Sequence, residues 1–420
     1  MRAARTLCLR YGRDRLDCAV PAHADILNPR EPVAETDRAA FRTGFGRLLP
    51  QPLPSGPIAV VVADKTRLCG YPTILPWLVE VLREQGAERS RIAFYIAYGT
   101  HAPQSEAESL AAYGPIYAEF PFVHHHCSTP TRFAELGRTS RGTPVRIRSD
   151  LVEAGLIVTV GAISHHYFAG FGGGRKLLFP GLGERESIYA NHRLFLDRRH
   201  NSLAAGCRPG QMTGNPLAED LAEADRLLPP YLSIHGLLDS RGEVAAYRFG
   251  ANSADFLAAC REHDALYRLA IARPYDLVVA SAGGFPKDIN LIQSHKAIDN
   301  AAAFVRDGGS LILLAECVDG LGSATFLPYF EMGGPLAAFR HLAQHYSGNG
   351  GTALALMAKT ARIRIELVTA LESALCRRLG MAKIGLEHVQ RRIMAAETLA
   401  VLPNASMLIR GQLDRNTPTE

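Results

Sequence analysis

Short β-branched runs, each ending at a polar residue or a glycine, recur along the chain and constrain its fold. Residues 58–63 (IAVVVA) end at Asp64, and residues 91–97 (RIAFYIA) form the next apolar run. Between them, residues 73–86 show helical spacing. A buried run followed by a helix and a second run is typical of a parallel sheet, so we predict an α/β fold with mostly parallel sheets. The same pattern predicts further strands at residues 156–160, 276–281 and 310–315.

The length of the chain indicates two domains. A single hydrophobic core stops growing near roughly 250–300 residues, and this chain has 420. Residues 252–272 show helical spacing without a breaker until Pro274, after which the strand pattern starts again. We therefore predict one domain over residues 1–270 and a second over 271–420, with an active-site cleft between them. The pattern leaves open to which domain two strand-like segments return, residues 398–402 and 407–410.

Charge, hydropathy and cysteine spacing exclude several classes of protein. The 46 basic and 41 acidic residues form no Lys/Arg block, so neither nucleic acid nor an anionic membrane is an expected partner. No apolar stretch reaches the roughly 18 residues of a membrane span, and the basic start of the chain lacks the apolar core of a signal peptide. The eight cysteines contain no Cys-x-x-Cys pair, which indicates reduced thiols. We expect a cytoplasmic protein.

The segment from 161 to 192, GAISHHYFAGFGGGRKLLFPGLGERESIYANH, has the densest set of reactive side chains. Its glycines allow backbone amides to approach an anion, and Arg175 and Lys176 add positive charge, so a phosphate or a carboxylate is the expected guest. The segment is not a Walker A loop, because Leu177 stands where that motif has a hydroxyl for magnesium. Two plainer interpretations remain open: a tight structural turn for the glycines, and a phosphate-binding cation for Lys176.

Histidines are the second source of chemistry, because imidazole moves protons near neutral pH and binds zinc or nickel when it is neutral. The run His124-His125-His126-Cys127 resembles a metal site. Successive side chains on a strand point to opposite faces, so at most two of these histidines converge. A zinc hydrolase built on this run would also need a general-base carboxylate, and the chain has no H-E-x-x-H motif.

Residues 166–176 (HYFAGFGGGRK), with Pro180-Gly181 and Asn191-His192 after them, resemble the signature of the nickel-pincer lactate racemase family. Together with matches elsewhere they cover both predicted domains, and agreement at so many separated positions is improbable by chance. Three of these matches lie in the first predicted domain: Asp64-Lys65-Thr66-Arg67 corresponds to the D-x-T-R turn of the family, Gly99-Thr100-His101 to its G-T-H turn, and His125 to the histidine of its N-H-D turn. The fourth lies in the second predicted domain, where residues 286–296 (PKDINLIQSHK) correspond to the pattern P-K-D-x-N-L-x-Q-x-x-K.

The resemblance implies a cofactor. In that family a pyridinium-3-thioamide-5-thiocarboxylate mononucleotide, the nickel-pincer nucleotide, is bound covalently to a lysine and holds nickel as a hydride acceptor. By the match, Lys176 would carry this cofactor, His192 would be a nickel ligand, and the proteins that synthesise the cofactor would be partners. Imidazole and soft sulfur suit Ni(II), and a helix cap is the alternative interpretation of His192. The resemblance assigns further cofactor contacts to Asp64, Arg67, Gly172, Gly173, Gly174 and Arg175.

The resemblance also implies racemisation of a 2-hydroxy acid by hydride transfer. Removal of the hydroxyl proton and a hydride leaves a planar 2-oxo acid, which can accept hydride on either face. His101 and His166 match the two bases of the family, and His165 is the nearest competitor of His166. A guanidinium such as that of Arg67 holds a carboxylate in one orientation, and Asp64 would orient it; a surface salt bridge is the alternative for Arg67. The expected substrate-binding residues are Arg67, Gln293, Lys296 and His125.

Departures from the family pattern bear on the substrate. Lys65 and Leu68 stand where the family usually has histidine and proline, and His124 and His126 stand where its N-H-D turn has asparagine and aspartate. The only tryptophan is Trp77, whereas the lactate enzymes carry one in the second domain over a small substrate. We therefore expect an acid larger or more polar than lactate, such as a malate-like diacid, a longer hydroxy acid or a sugar acid. Lactate racemase proper is the alternative for the substrate. A non-catalytic nucleotide-binding or sensor protein is the alternative for the class of protein, but it would have no reason to keep Lys176, His192, His101 and His166 together.

Overall fold

The computed structural model describes residues 4–128 and 131–411. Its strands are, in chain order, β1 (Ala4–Tyr11), β2 (Asp14–Pro21), β3 (Asp25–Ile26), β4 (Ile58–Ala63), β5 (Ile92–Ala97), β6 (Phe122–His124), β7 (Phe133–Arg138), β8 (Pro144–Arg148), β9 (Leu156–Ala162), β10 (Ser164–His166), β11 (Gly170–Gly172), β12 (Leu196–Asp197), β13 (Ser202–Leu203), β14 (Leu232–Leu238), β15 (Val244–Gly250), β16 (Arg268–Ala270), β17 (Tyr275–Ser281), β18 (Val305–Leu314), β19 (Arg364–Val368), β20 (Ala382–Lys383), β21 (Leu399–Leu402) and β22 (Ile409–Gly411). Its α-helices are α1 (Arg38–Gly46), α2 (Tyr71–Glu84), α3 (Glu106–Tyr113), α4 (Ile116–Glu119), α5 (Ser149–Val152), α6 (Arg185–His192), α7 (Pro216–Asp225), α8 (Ser253–Tyr267), α9 (Leu291–Ala302), α10 (Pro335–Gln344), α11 (Gly350–Arg362), α12 (Ser373–Arg378) and α13 (Leu386–Ala395).

The chain forms two compact units. The first unit comprises residues 31–195 and 205–265, and the second comprises the described parts of residues 1–30, 196–204 and 266–420. The domain prediction assigned the amino-terminal residues to the first domain, whereas here they belong to the second unit. Strand pairing is the reason, because β3 joins the sheet of the second unit in parallel beside β21. The strands β21 and β22, whose destination the sequence left open, pair with β17 and β16 in the second unit.

The main sheet of the first unit has the strand order β15-β14-β9-β4-β5-β6. All six residues of β4 are buried, as expected for a β-branched strand covered on both faces. The chain proceeds from β4 to β5 and β6 on one side, and to β9 and β14 on the other. In open α/β sheets, ligands bind beyond the carboxyl ends of the strands at such a switch point. The segments that follow β4, β5 and β9 are therefore the natural places for a site.

The main sheet of the second unit has the order β20-β19-β18-β17-β21-β3. Its core includes Leu277 and Val279 of β17 and Ile312 of β18, packed with apolar residues of the amino-terminal strands and of β21. The turn after β17 leads into α9, whose cap Asn290 accepts a hydrogen bond from the backbone N–H of Gln293. The sequence pattern at 286–296 thus lies on one strand-turn-helix segment.

The predicted α/β fold with mostly parallel sheets is confirmed, since among the described strands of the two main sheets only β14 and β15 pair antiparallel. The predicted helix 73–86 begins two residues early, at Tyr71, because Pro72 suits the first helical turn. The predicted helix 252–272 ends at Tyr267, because residues 268–270 pair with β22. All eight cysteines are free thiols. Across the described residues, none of the helices combines the length and the apolar composition needed to cross a membrane.

Candidate active site

Asp64 follows β4 and holds His101 through a hydrogen bond. Its Oδ1 accepts bonds from the backbone N–H and the hydroxyl of Thr66, at 2.7 and 2.6 Å, and its Oδ2 accepts one from Nδ1 of His101 at 2.7 Å. Burial by itself raises the pKa of Asp64, but the charge and hydrogen bond of His101, with the charge of Arg67, outweigh burial and hold the pKa well below its usual range. The ionised carboxylate keeps a proton on Nδ1 of His101, so that Nε2 can accept another.

His101 lies on the loop after β5 and remains accessible, with 41% of its side chain exposed. The loop is tied to Tyr98 by two hydrogen bonds. The carbonyl of Tyr98 accepts one from the backbone N–H of His101, and the hydroxyl of Tyr98 accepts the other from the backbone N–H of Gln104. The Tyr98 hydroxyl also bonds to Nδ1 of His124 at 2.8 Å, and Nε2 of His124 lies 3.2 Å from the hydroxyl of Tyr117. This chain of bonds fixes the loop while leaving the imidazole of His101 open to a ligand.

His166 and His165, neighbours on β10, have different surroundings. Nδ1 of His166 accepts hydrogen bonds from the backbone N–H groups of Phe168 and Ala169, at 3.2 and 3.1 Å. Its neutral ring therefore bears the hydrogen on Nε2. His165 instead bonds through Nε2 to Oδ1 of Asp264 at 2.8 Å, and its side chain is almost completely buried. This arrangement supports His166 over His165 as the residue that meets a ligand.

The Gly-rich turn is required by the packing of the protein itself. Gly173 and Gly174 have φ angles of +85° and +52°, in the left-handed region that favours glycine. A Cβ atom at Gly173 would lie 2.5 Å from the carbonyl oxygen of Ala162, and one at Gly174 would lie 2.5 Å from the ring of Phe256. These contacts explain the two glycines without a ligand, so the predicted anion contacts of Gly172, Gly173 and Gly174 stay predictions.

Arg175 is directed into the protein. It is 4% exposed, its guanidinium lies 5.3 Å from the ring centroid of Phe256, and it donates a 3.1 Å hydrogen bond to the carbonyl of Ala218 in α7. Burial lowers its pKa, and the charge of Asp225 opposes that effect. In this placement the guanidinium faces Phe256 and α7, and the predicted contact of Arg175 with the cofactor stays a prediction. The residue anchors the turn that carries Lys176.

Lys176 and His192 lie within electrostatic reach of each other. Lys176 belongs to the short 3₁₀ turn Gly174–Leu177, and His192 is the last residue of α6. Burial lowers the pKa of His192 to about 4, and the charges of Lys176 and His101 act in the same direction, against the hydrogen bond to Ile188. That bond runs from Nδ1–H of His192 to the carbonyl of Ile188, at 2.8 Å. His192 is therefore neutral near pH 7, with its lone pair on Nε2, which is the form that binds a metal.

Arg67 and His125 differ in their access to a ligand. Arg67 is half-buried, and its charge helps to lower the pKa of Asp64. The carboxylate of Asp64 bonds to Thr66 and His101, whereas it was predicted to orient the guanidinium of Arg67. His125 is 1% exposed and bonds through Nε2 to the carbonyl of Gly183 at 3.0 Å. Burial lowers its pKa to about 4. The structure thus gives His125 a packing role, against the prediction that it contacts the substrate.

The histidine run does not form a metal centre. His124 is held between two tyrosines, His125 is buried against Gly183, and His126 is exposed. In residues 4–128 and 131–411, no three His, Cys, Asp or Glu side chains converge to hold a metal ion. Lys65, counted above among the departures near the expected pocket, forms an ion pair with Glu108 in the capping box of α3. The described residues offer nothing in favour of the zinc hydrolase.

Gln293 and Lys296 lie side by side in the second unit. Nζ of Lys296 donates a 2.6 Å hydrogen bond to Oε1 of Gln293, and both side chains are half-buried on the first turns of α9. The structure thus brings together the two predicted substrate-binding residues of this unit.

The sequence interpretation missed two polar residues beside the predicted site, Asn215 and Asp220, which form hydrogen bonds together with Asn191 of the signature. Asn191, Asn215 and Asp220 are fully buried, and their hydrogen bonds connect α6 and α7 with the segment that carries His166. The dipeptide Asn215-Pro216 was a usable signal, because asparagine at a helix cap followed by proline is a common helix start. Nothing in the local pattern indicated that α7 packs beside the turn that carries Lys176.

Two family models match the chain. The model of the lactate racemase N-terminal domain matches residues 11–203, and that of the lactate racemase C-terminal domain matches residues 271–340.

Two curated relatives are both named lactate racemase. The protein from Thermoanaerobacterium thermosaccharolyticum is 30% identical over 276 residues, which cover 65% of this chain and 63% of the relative. The protein from Lactiplantibacillus plantarum is 29% identical over 270 residues, which cover 64% of this chain and 62% of the relative. The alignment thus spans less than two thirds of either relative.

Two solved structures share the fold. The lactate racemase apoprotein from T. thermosaccharolyticum has a TM-score of 0.83 at 24% identity, covering 97% of this chain and 100% of that one. A protein from Thermotoga maritima has a TM-score of 0.70 at 16% identity, and the match covers 92% of this chain and 100% of that one. At these identities, the likeness supports the fold alone.

Proposed function

Since the chain belongs to the lactate racemase family, we propose that it is a racemase or epimerase of a 2-hydroxy acid. The observation that carries this proposal is the state of His192. Its Nδ1–H is bonded to the carbonyl of Ile188 at 2.8 Å, and burial together with the charges of Lys176 and His101 lowers its pKa to about 4. The charges of a lysine and of a candidate base thus reach an imidazole that has the form needed to bind a metal.

The residues fit the nickel-pincer nucleotide of the family. Lys176 would hold it covalently, and Nε2 of His192 would be the protein's ligand to nickel, since a neutral imidazole suits that metal. When bound, the group supplies a hydride acceptor that can return hydride to either face of a planar 2-oxo acid. Proteins that synthesise the nucleotide are the proposed partners that load it.

His101 is the proposed base for the first proton transfer. With Nδ1–H bonded to Asp64, its Nε2 takes the hydroxyl proton of the substrate, and the Asp64 carboxylate stabilises the imidazolium that forms. His166 is the proposed base for the opposite enantiomer. Nδ1 of His166 accepts hydrogen bonds from two backbone N–H groups. Protonation of Nδ1 therefore requires the ring to break these two hydrogen bonds. Arg67, Gln293 and Lys296 are the proposed substrate-binding residues.

We propose a substrate larger than lactate, with lactate itself as the alternative. The structure removes part of the argument for a polar side chain, because Lys65 is paired with Glu108 and His124 is bonded to Tyr98 and Tyr117. Leu68 follows Arg67 directly and is 39% exposed. An exposed leucine beside the proposed carboxylate-binding arginine favours a longer apolar hydroxy acid over a diacid or a sugar acid.

The test of the proposed function is to express the chain with the cofactor-synthesis proteins and to measure intact mass, nickel content and turnover of single enantiomers. We expect a mass gain on the peptide that contains Lys176, about one nickel per chain, and racemisation followed by chiral chromatography. In D₂O, hydride return leaves protium on C2, whereas deuterium at C2 would show proton abstraction from carbon instead. Protein with no mass gain and no turnover of any hydroxy acid would contradict the proposal.

A further inference from the structure

The first turn of α7 is hydrogen-bonded to three separate segments, each of which carries a residue of the proposed site. One segment contains His166, the second contains Lys176, and the third ends at His192. The α7 helix itself contributes no side chain to the proposed chemistry. Its position instead sets where the three segments lie.

Asn215, the cap of α7, provides the first link. Its Oδ1 accepts the backbone N–H of Ala218, which caps the helix, and its Nδ2 donates to the carbonyl of Phe168 at 2.8 Å and to that of Gln211 at 2.9 Å. Phe168 stands two residues after His166, whose Nδ1 accepts the backbone N–H of this same Phe168. One buried amide therefore joins the start of α7 to the turn that holds the His166 ring.

The carbonyl of Ala218 provides the second link, because it accepts the hydrogen bond from the guanidinium of Arg175. Arg175 and Lys176 are consecutive residues of one 3₁₀ turn. The position of the Lys176 backbone is thus tied to the same helical turn that Asn215 caps.

Asp220 provides the third link. Its Oδ2 accepts a 2.8 Å bond from Nδ2 of Asn191, and its Oδ1 accepts the hydroxyl of Thr139. Asn191 also donates to the carbonyl of Leu217 at 3.4 Å. Because Asn191 directly precedes His192, this contact holds the end of α6. Asn191, Asn215 and Asp220 are all 0% exposed, so water cannot replace a lost bond.

We propose that Asn215 and Asp220 are positioning residues, which fix Lys176, His192 and His166 relative to one another through α7. This inference rests on the proposed function, because it supposes that one group engages Lys176 and His192 at the same time. Such residues act like the outer partners of metal ligands, whose loss typically weakens metal binding by about 10- to 100-fold.

The main variant is Asn215→Asp, which keeps an oxygen to cap Ala218 but loses the amide donor to Phe168. Asp220→Ala releases Asn191 and serves as the second variant. The matched control is Asp37→Ala, because Asp37 caps α1 in the same unit through a 2.8 Å bond to Ala40 and has no part in the network. Each protein is co-expressed with the cofactor-synthesis proteins. Mass gain at Lys176 and the rate of nickel loss to a chelator are then measured, together with thermal unfolding.

We expect both variants to keep the mass gain at Lys176 but to lose nickel about 10- to 100-fold faster than the wild type. Hydrogen exchange of the unloaded proteins should also be faster in peptides that cover residues 166–176 and 185–195. The control should unfold at a lower temperature and keep the wild-type values for nickel loss and for exchange in those peptides.

Nickel loss at the wild-type rate in Asn215→Asp would overturn the inference, as would equally fast loss in the Asp37→Ala control. If Asp220→Ala does not fold, Asn215→Asp still decides the outcome. A wild-type protein that gains no mass and no nickel would contradict the proposed function instead. The exchange measurement on unloaded protein would then decide the positioning role: wild-type exchange at 166–176 and 185–195 in the variants would overturn it.

Discussion

Nδ1 of His101 donates a 2.7 Å hydrogen bond to Oδ2 of Asp64, and this bond determines which nitrogen of the ring can meet a substrate. The neutral ring of His166 is held in the opposite tautomer, because its Nδ1 accepts two backbone N–H groups. Nε2 of His101 therefore has a lone pair, whereas Nε2 of His166 bears hydrogen. We therefore expect His101, and not His166, to take the first proton.

Asp64→Asn tests this pairing. An amide cannot stabilise the imidazolium and can hold the wrong tautomer of His101, so we expect kcat to fall by about 10²- to 10⁴-fold with little change in KM. Thr66→Val is the control, because it removes only the hydroxyl bond to Oδ1 and leaves the carboxylate charge in place. Steady-state kinetics on the loaded enzyme provide the measurement. Wild-type kcat in Asp64→Asn would remove the carboxylate from the mechanism.

His101→Gln and His166→Gln test the two proposed bases. Each substitution should lower turnover by about 10²- to 10⁴-fold, the usual contribution of a general acid or base. Two enantiomers are equally stable, so kcat/KM must fall by the same factor in both directions, whichever histidine is lost. His200→Gln, an exposed histidine of the second unit paired with Asp197, is the control. A variant that still turns over one enantiomer at the wild-type rate would exclude its histidine from the chemistry.

Lys176→Ala and His192→Ala should separate cofactor attachment from metal binding. Without the lysine we expect neither mass gain nor nickel, because the covalent link is lost. Without His192 we expect the mass gain to persist and nickel to be held more weakly, since one ligand is missing. Intact mass and nickel analysis of the same samples distinguish the two outcomes. Full activity in Lys176→Ala would contradict the covalent model.

His235 predicts how stability depends on pH. It is 1% exposed on β14, and burial lowers its pKa to about 4, against the opposing charge of Asp255. In the unfolded chain its pKa is near 6.5, so between pH 6.5 and 4 the unfolded state binds a proton that the folded state does not. Acidification in this window therefore favours unfolding.

The free energy of unfolding should fall by about 2 kcal/mol more in the wild type than in His235→Leu between pH 7 and pH 5. Denaturant unfolding at the two pH values provides the measurement. Equal pH dependence in the two proteins would show that folding does not lower the pKa of His235.

The strand pattern of the first unit was accessible from the sequence because a buried parallel strand has a simple composition. The run at β4 is rich in β-branched residues and all buried, and its end at Asp64 marked the site. The amino-terminal hairpin and β3 gave no such signal. The pairing of β3 with β21 joins residues far apart in the sequence, Asp25 with Ala400, and only the folded chain brings them together.

The candidate site was less predictable, because residue type does not determine which partner a side chain meets. His125 and Arg175 match the family pattern, yet one is buried against Gly183 and the other against Phe256. Asp64 was expected to orient Arg67, whereas its Oδ2 bonds to His101. Such choices depend on contacts between distant segments, which local spacing does not encode.

We propose that Leu68, which is exposed directly after the proposed carboxylate-binding Arg67, contributes to the specificity of the enzyme. We expect kcat/KM to rise from lactate to 2-hydroxybutyrate and 2-hydroxy-4-methylpentanoate, since one methylene in an apolar pocket contributes about 1–3 kcal/mol. Leu68→Ala should reduce this preference without lowering the activity on lactate, and Leu110→Ala, an exposed leucine of α3, is the matched control. Malate and a sugar acid belong in the same panel, because Lys65 and His124 are engaged elsewhere and should not favour them. Chiral chromatography of each acid with the loaded enzyme provides the rates. If lactate is turned over more efficiently than every longer acid, the enzyme is a lactate racemase proper, and the nickel mechanism stands without the specificity argued from Leu68.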